Sequence, residues 1–134
     1  MFEALETSLT CRYFVLHSSW FEREVSLDYI KQMRKGIAEM CVLAVLRQGD
    51  TYGYDLVVRL SSLEALTLNQ NTVYPLLSRL RKAGHVTVYE KASPEGPARR
   101  YFTLTLEGKM RLAGMETFWR QMRVEVDELI EAKK

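Results

Sequence analysis

Apolar residues recur at helical spacing in four stretches of the chain and at strand spacing in two. Leu27, Ile30, Met33 and Ile37 follow Ser26, a plausible N-cap, and run into the wholly apolar segment Met40 to Leu46. The pattern predicts a first helix over 27–48, central to the core and closed by Gly49. Leu56, Leu60 and Leu63 share one face of a second helix over 52–63, with Thr51 as its cap. Val73, Leu76, Leu77 and Leu80 share one face of a third, over 70–83, ended by Gly84. "HVTVYEK" alternates Val86 and Val88 with Thr87 and Tyr89, a half-buried strand. "ASPEGPA" is expected to be the loop, and "RRYFTLT" the returning strand of a hairpin. Thr105 is expected to cap a long fourth helix over 106–132.

Helix, helix, helix, hairpin, helix is the order of a winged helix-turn-helix: mainly α with a β-hairpin, followed by a C-terminal helix. The expected organisation is an arm at 1–26, a winged helix-turn-helix DNA-binding domain at 27–105 and a dimerisation helix at 106–134. The aromatic-rich arm, with "TCRYFVLHSSWF", sustains neither period. It is read either as a segment packed on the body or a partner, or as a leader from an upstream start codon, since a start at Met33 leaves a complete domain.

The third helix carries the sharpest question. Its outward side shows Asn71, Pro75, Ser78 and Lys82, with Thr72 and Tyr74 in the first turn and Arg79 on the flank. Asn pairs with adenine in a bidentate way, Arg with guanine, and Ser or Thr with either. Pro75 offers a compact apolar contact for a thymine methyl. It costs little if the helix starts at Asn71 and a kink if it starts at Asn69. The helix start is expected to offer unpaired N–H groups to a phosphate.

Charge sharpens this reading. The overall net charge is only +2, but it is unevenly spread. Residues 1–30 carry two basic and five acidic groups, net −3, whereas residues 31–105 carry eleven and six, net +5. Residues 106–134 carry six of each. The central segment is the one suited to a polyanion. Arg99 and Arg100 at the base of the wing, with Lys91 across from them, are candidates for phosphate or minor-groove contact. Their plainer role is cross-strand pairing within the hairpin.

Other classes have little support. His17 and His85 lie near no Cys or paired carboxylate at a recognisable spacing, and no phosphate loop, nucleophile elbow or metal motif is present. No enzyme activity and no cofactor are expected. Cys11 and Cys41 make no disulfide framework, and Cys41 reads as a small core hydrophobe. With no run of about 18 apolar residues and no signal-peptide pattern, a cytoplasmic protein without membrane contact is expected. A winged-helix adaptor that binds protein rather than DNA is the alternative, but such a protein would be expected to show apolar residues on the outward side of the third helix.

"MRKGIAEMCVLAVLRQGDTYGYDLVVRL", "LNQNTVYPLLSRLRKAGHV" and "GPARRYFTLTLEG" resemble the PadR family of transcriptional regulators, in order and without large gaps from about Leu27 to Leu129. "YGYDL", "TVYPLLSRL" and the "RRYFTLT" that follows a Gly-Pro wing are the specific elements. The resemblance implies a dimeric repressor on a pseudo-palindromic double-stranded operator. It places Thr72, Tyr74, Pro75, Ser78 and Arg79 in the recognition helix, Tyr52 near backbone phosphates, and Gly96, Arg99 and Arg100 in the wing. Residues 1–26 fall outside it.

In the fourth helix, Leu112, Met115, Trp119, Met122, Val126 and Leu129 are spaced 3-4-3-4-3, a heptad seam widened by Phe118 and Ile130. It is the expected homodimer interface, and its balanced charge suits an interface better than DNA. The single short C-terminal helix resembles the smaller PadR subclass. Some members of that family bind flat aromatic compounds between paired tryptophans, and Trp119 matches that position counted from Gly108. Met115 and Met122 would line such a site. Equally, all three would pack a plain interface.

Overall fold

A computed structural model describes residues 27–132. Its elements are α1 (Leu27–Arg47), β1 (Thr51–Tyr52), α2 (Gly53–Ser61), α3 (Gln70–Lys82), β2 (Val86–Ser93), β3 (Gly96–Leu104) and α4 (Leu106–Glu131). The strands form one antiparallel sheet in the order β1-β3-β2. This is the winged helix fold with a long C-terminal helix. The chain divides into two compact units, Met1–Gly36 and Ile37–Lys134. Of the first, the described part is the opening of α1, where Tyr29 and Met33 are exposed. Met33 was expected on the apolar face and is 69% exposed. The arm and the Ser26 cap lie outside the described residues.

In the second unit, the apolar run of α1 supplies Ala38, Val42, Leu43, Val45 and Leu46 to the core, each under 9% exposed. The helix ends at Arg47, and Gln48 and Gly49 close it with bonds to the carbonyls of Val45 and Leu46. Gly49 then adopts φ +154°, open to glycine and strained for other residues. Cys41 is half-buried against the core, and burial pushes its thiol pKa up, so it is a poor nucleophile.

The second helix departs from expectation at both ends. Thr51 does not cap it: Thr51 lies in β1, and its hydroxyl donates to the Gly49 carbonyl. Tyr52 is the N-cap residue and makes no side-chain capping bond. The helix stops at Ser61, so Leu63 lies beyond it and is 43% exposed rather than in the core. Leu68, five residues further on in the connection, is buried instead, at 3% exposure. Two residues of strand give too short an alternation to reveal β1 by its pattern.

α3 begins at Gln70, between the two starts considered. Its N-cap is Asn69, whose side chain accepts from the Asn71 N–H. Pro75 is therefore the sixth helical residue, inside the helix and not in its first turn. It has no N–H for the Asn71 carbonyl, but both residues are exposed, so water can take the freed acceptor. At the other end His85 donates to Leu80 and Gly84 to Arg81, the paired bonds of a Schellman motif, with Gly84 at φ +81°.

The hairpin reaches further than "ASPEGPA" suggests. β2 runs to Ser93 and β3 starts at Gly96, leaving only Pro94 and Glu95 as the turn. Lys91 pairs with Arg99 but Ser93 with Gly96, so β3 holds one extra residue opposite Ala92. Pro97 sits in this bulge, where a strand tolerates a residue that cannot donate. Val86 and Val88 face inward and Thr87 and Tyr89 outward, as the alternation predicts.

α4 is anchored to the domain by its first turns. The Thr105 side chain accepts from Gly108 N–H, capping the helix as expected, and its hydroxyl donates to the Gly84 carbonyl. Leu112 is only 1% exposed and belongs to the core with Leu43, Leu60, Leu77, Leu80 and Val86. Its assignment to the dimer seam is corrected: the seam's first position already spends its apolar surface inside the domain. Leu112→Ala is expected to lower the unfolding free energy of the domain by about 2–5 kcal/mol. Urea titration at several protein concentrations checks it, and the size of the loss should not depend on concentration. Two ion pairs further join α4 to α1, Arg111 with Glu39 and Glu116 with Arg47.

Candidate nucleic-acid interface

The leucines of α3 fix its outward side. With Val73, Leu76, Leu77 and Leu80 buried, Asn71, Tyr74, Pro75, Ser78, Arg79 and Lys82 are all exposed and Thr72 is half-buried. Every polar residue expected to read bases is thus accessible. The helix start differs from expectation. Asn69 takes the Asn71 N–H with its side chain and the Thr72 N–H with its carbonyl. Two amides of that turn are already used, so most of the polar contact capacity of α3 lies in its side chains.

A cleft of about 480 Å³ opens between the start of α2, α3 and the wing. It brings together Tyr52, Tyr74, Gly96, Arg99 and Arg100 from three separate parts of the sequence. Gly53 floors it: a Cβ there would lie 3.0 Å from the Phe102 ring and 3.5 Å from the Tyr74 ring. A second hollow of about 220 Å³ joins Ser78 to Arg100, with Arg81 beside them. Asn71, Thr72, Pro75, Arg79 and Lys82 line neither. Tyr54 and Arg81 are among the residues of these hollows that the sequence pattern did not single out. Arg81 adjoins Lys82 in a basic last turn, a signal that was available; Tyr54 carried none beyond lying in "YGYDL".

The wing's charges are placed by sheet register. Tyr52, Tyr101 and Tyr89 are directly paired across the three strands, so their rings form one row on the face opposite Phe102 and Val88. Tyr89 stacks on Tyr101 with centroids 5.6 Å apart, and Tyr52 follows at 6.0 Å. Two residues along, Lys91 pairs with Arg99. Lys91 Nζ lies 5.6 Å from the Tyr101 ring centre and Arg99 Cζ lies 5.0 Å from that of Tyr52. Tyr89 donates to Asp50 at 2.9 Å, and that bond is the main cause of its raised pKa. The plain cross-strand reading of the arginines is half met. Arg100 does face Glu90, but Arg99 faces Lys91, a like-charge pair that a hairpin alone would not favour. An anion between them removes that repulsion.

α4 distributes its stripe unevenly. Met115 packs against the core, Trp119 and Met122 are half-buried, and Phe118, Val126 and Leu129 are exposed. Leu129 and Ile130 are 78% and 76% exposed. Among the described residues, no helix is long and apolar enough to cross a membrane.

Comparison with known proteins finds relatives that share this fold. Residues 42–114 match the model of the transcriptional regulator PadR-like family. A PadR-like transcriptional regulator from Bacillus cereus strain ATCC 14579 is 31% identical, with a TM-score of 0.69, over 76% of this chain and 99% of that one. A PadR family regulator from Eggerthella lenta DSM 2243 is 30% identical, with a TM-score of 0.73, over 86% and 99%. A Streptococcus transcriptional regulator is 35% identical, with a TM-score of 0.67, over 75% and 98%. No curated protein matches. On the matched domain, the shared winged fold and the full coverage of these regulators, the chain belongs to the PadR-like family of transcriptional regulators.

Proposed function

We propose that this regulator is a homodimeric repressor that binds a pseudo-palindromic duplex. α3 enters the major groove and reads bases through Asn71, Thr72, Ser78 and Arg79. The wing, through Arg99 and Arg100, holds the phosphate backbone or the minor groove, and Tyr52 and Lys82 border the contact. The observation that carries this reading is the convergence of Tyr52, Tyr74, Arg99 and Arg100 on one cleft beside an exposed polar face of α3. Phosphate contacts set affinity and side-chain contacts to base edges set sequence preference.

The exposed apolar stripe of α4 supports the dimer. Phe118, Val126, Leu129 and Ile130 are large exposed apolar residues on one helix, and a second copy of the same stripe would cover them. Half-buried Trp119 between Met115 and Met122 is where a flat aromatic effector would intercalate and alter half-site spacing. Selection of bound duplexes from a random pool tests the reading. The expected product is one sequence repeated as inverted half-sites about one helical turn apart. Arg79→Ala is expected to relax preference at one position of each half-site, at a cost of about 1–3 kcal/mol on the selected duplex. Recovery of unrelated duplexes would reject sequence-specific binding, and single half-sites would reject the dimer.

A further inference from the structure

Glu39 of α1 stands between arginines from two different elements. Its side chain is 16% exposed. Arg111 of α4 donates from Nε to Glu39 Oε1 in a direct hydrogen bond, which also raises the Arg111 pKa. Arg79 Nη2 approaches Glu39 Oε2 only to 4.0 Å, and its side chain stays 70% exposed. One carboxylate thus serves two guanidiniums and favours Arg111. The next acid along α4, Glu116, is engaged with Arg47 and Arg120. No local pattern points to Glu39, because residues 39, 79 and 111 are far apart in the chain.

We propose that Glu39 and Arg111 form a switch on Arg79. While Arg111 occupies the carboxylate, Arg79 is available to DNA. A displacement of α4 that withdraws Arg111 lets Glu39 capture Arg79 in a fork-shaped pair and removes its charge from the reading face. Glu39 is then a positioning residue for Arg79, and it ties the reading face to the helix that carries Trp119. Leu112 holds this part of α4 in the core, so Arg111 is withdrawn by a roll of the helix about that anchor, which turns Arg111 together with Trp119 two turns on. The switch rests on the reading of α3 as the DNA-contacting helix.

The test uses the full chain, the duplex obtained by selection and a random duplex, with anisotropy at one salt concentration. Arg111→Gln is expected to weaken binding to the selected duplex by about tenfold and to the random duplex less. The double variant Glu39→Gln/Arg111→Gln is expected to return within about twofold of wild type, since the captor is gone. In an Arg79→Ala background Arg111→Gln is expected to have no further effect. Glu39→Gln alone should bind the selected duplex at least as well as wild type. The switch is overturned if Arg111→Gln binds like wild type, if the double variant is not restored, or if the loss persists without Arg79. Arg111→Lys keeps the charge without the Nε bond; it should show a smaller loss of the same sign, and it replaces Arg111→Gln if that variant fails to fold. Should Arg79→Ala leave the preference for the selected duplex intact, the DNA reading of α3 fails and the switch with it. A failure of the Arg111 variants while Arg79→Ala still lowers preference removes the switch alone.

Discussion

Gly108→Ala is expected to destabilise the domain by about 3 kcal/mol, at the upper end of ordinary overpacking costs. Gly108 is the third residue of α4, and a Cβ there would sit 2.2 Å from the His85 carbonyl oxygen and 2.7 Å from Leu104 Cδ1. The leucine can move, but the carbonyl cannot, because it accepts from Thr105 N–H at 3.1 Å. Gly108 N–H in turn binds the Thr105 hydroxyl at 3.0 Å, so any shift that makes room also loosens the cap. Gly114 on the same helix is the control. Nothing lies within 4 Å of its added Cβ, so Gly114→Ala relieves glycine's backbone entropy and is expected to stabilise by about 0.5–1 kcal/mol. Chemical denaturation of both variants checks the pair. Equal effects would show that the junction between the wing and α4 is not as tightly packed as these contacts require.

The Arg99→Ala/Arg100→Ala double variant is expected to lose binding to selected and random duplexes alike, on the order of tenfold for each arginine. Its slope of log affinity against log salt is expected to fall by roughly 2, because two phosphate contacts no longer release counterions. Arg99 is placed for this by Tyr52 beneath it and by repulsion from Lys91 opposite. Arg100 projects from the other face toward Ser78 and Arg81, where it joins the wing to α3. A double variant that lost binding only to the selected duplex would make these arginines base readers, with the assignment to the backbone reversed.

Most of the fold was legible because the apolar period was long enough to read. The leucines of α3 and the alternation of Val86 and Val88 required no tertiary information. What was missed depended on partners distant in sequence. β1 is two residues long and is a strand only because it pairs with Tyr101 and Phe102. "ASPEGPA" carries every sign of a loop, yet a bulge lets Pro97 remain in β3. Leu112 fits the heptad seam perfectly well as a sequence position. Whether it faces a partner or the core depends on where Thr105 and Gly108 start the helix against His85. In the candidate interface, residue types on α3 were legible from the wheel. The cleft joining Tyr52 to Arg99 was not, since it depends on the β1–β3 pairing. The Glu39 ion pairs depend on how α1, α3 and α4 are packed, which no local pattern encodes.

In the proposed complex, α3 reads sequence while the wing holds the backbone. The most direct measurement is the ratio of affinities for the selected and random duplexes, taken for wild type, Arg79→Ala and Arg99→Ala/Arg100→Ala across a salt series. Arg79→Ala is expected to lower the ratio with the salt slope reduced by at most about 1. The double variant is expected to keep the ratio while the slope falls by roughly 2. A wild-type ratio near one, or a ratio that collapses only when the wing arginines are removed, would contradict this division of roles.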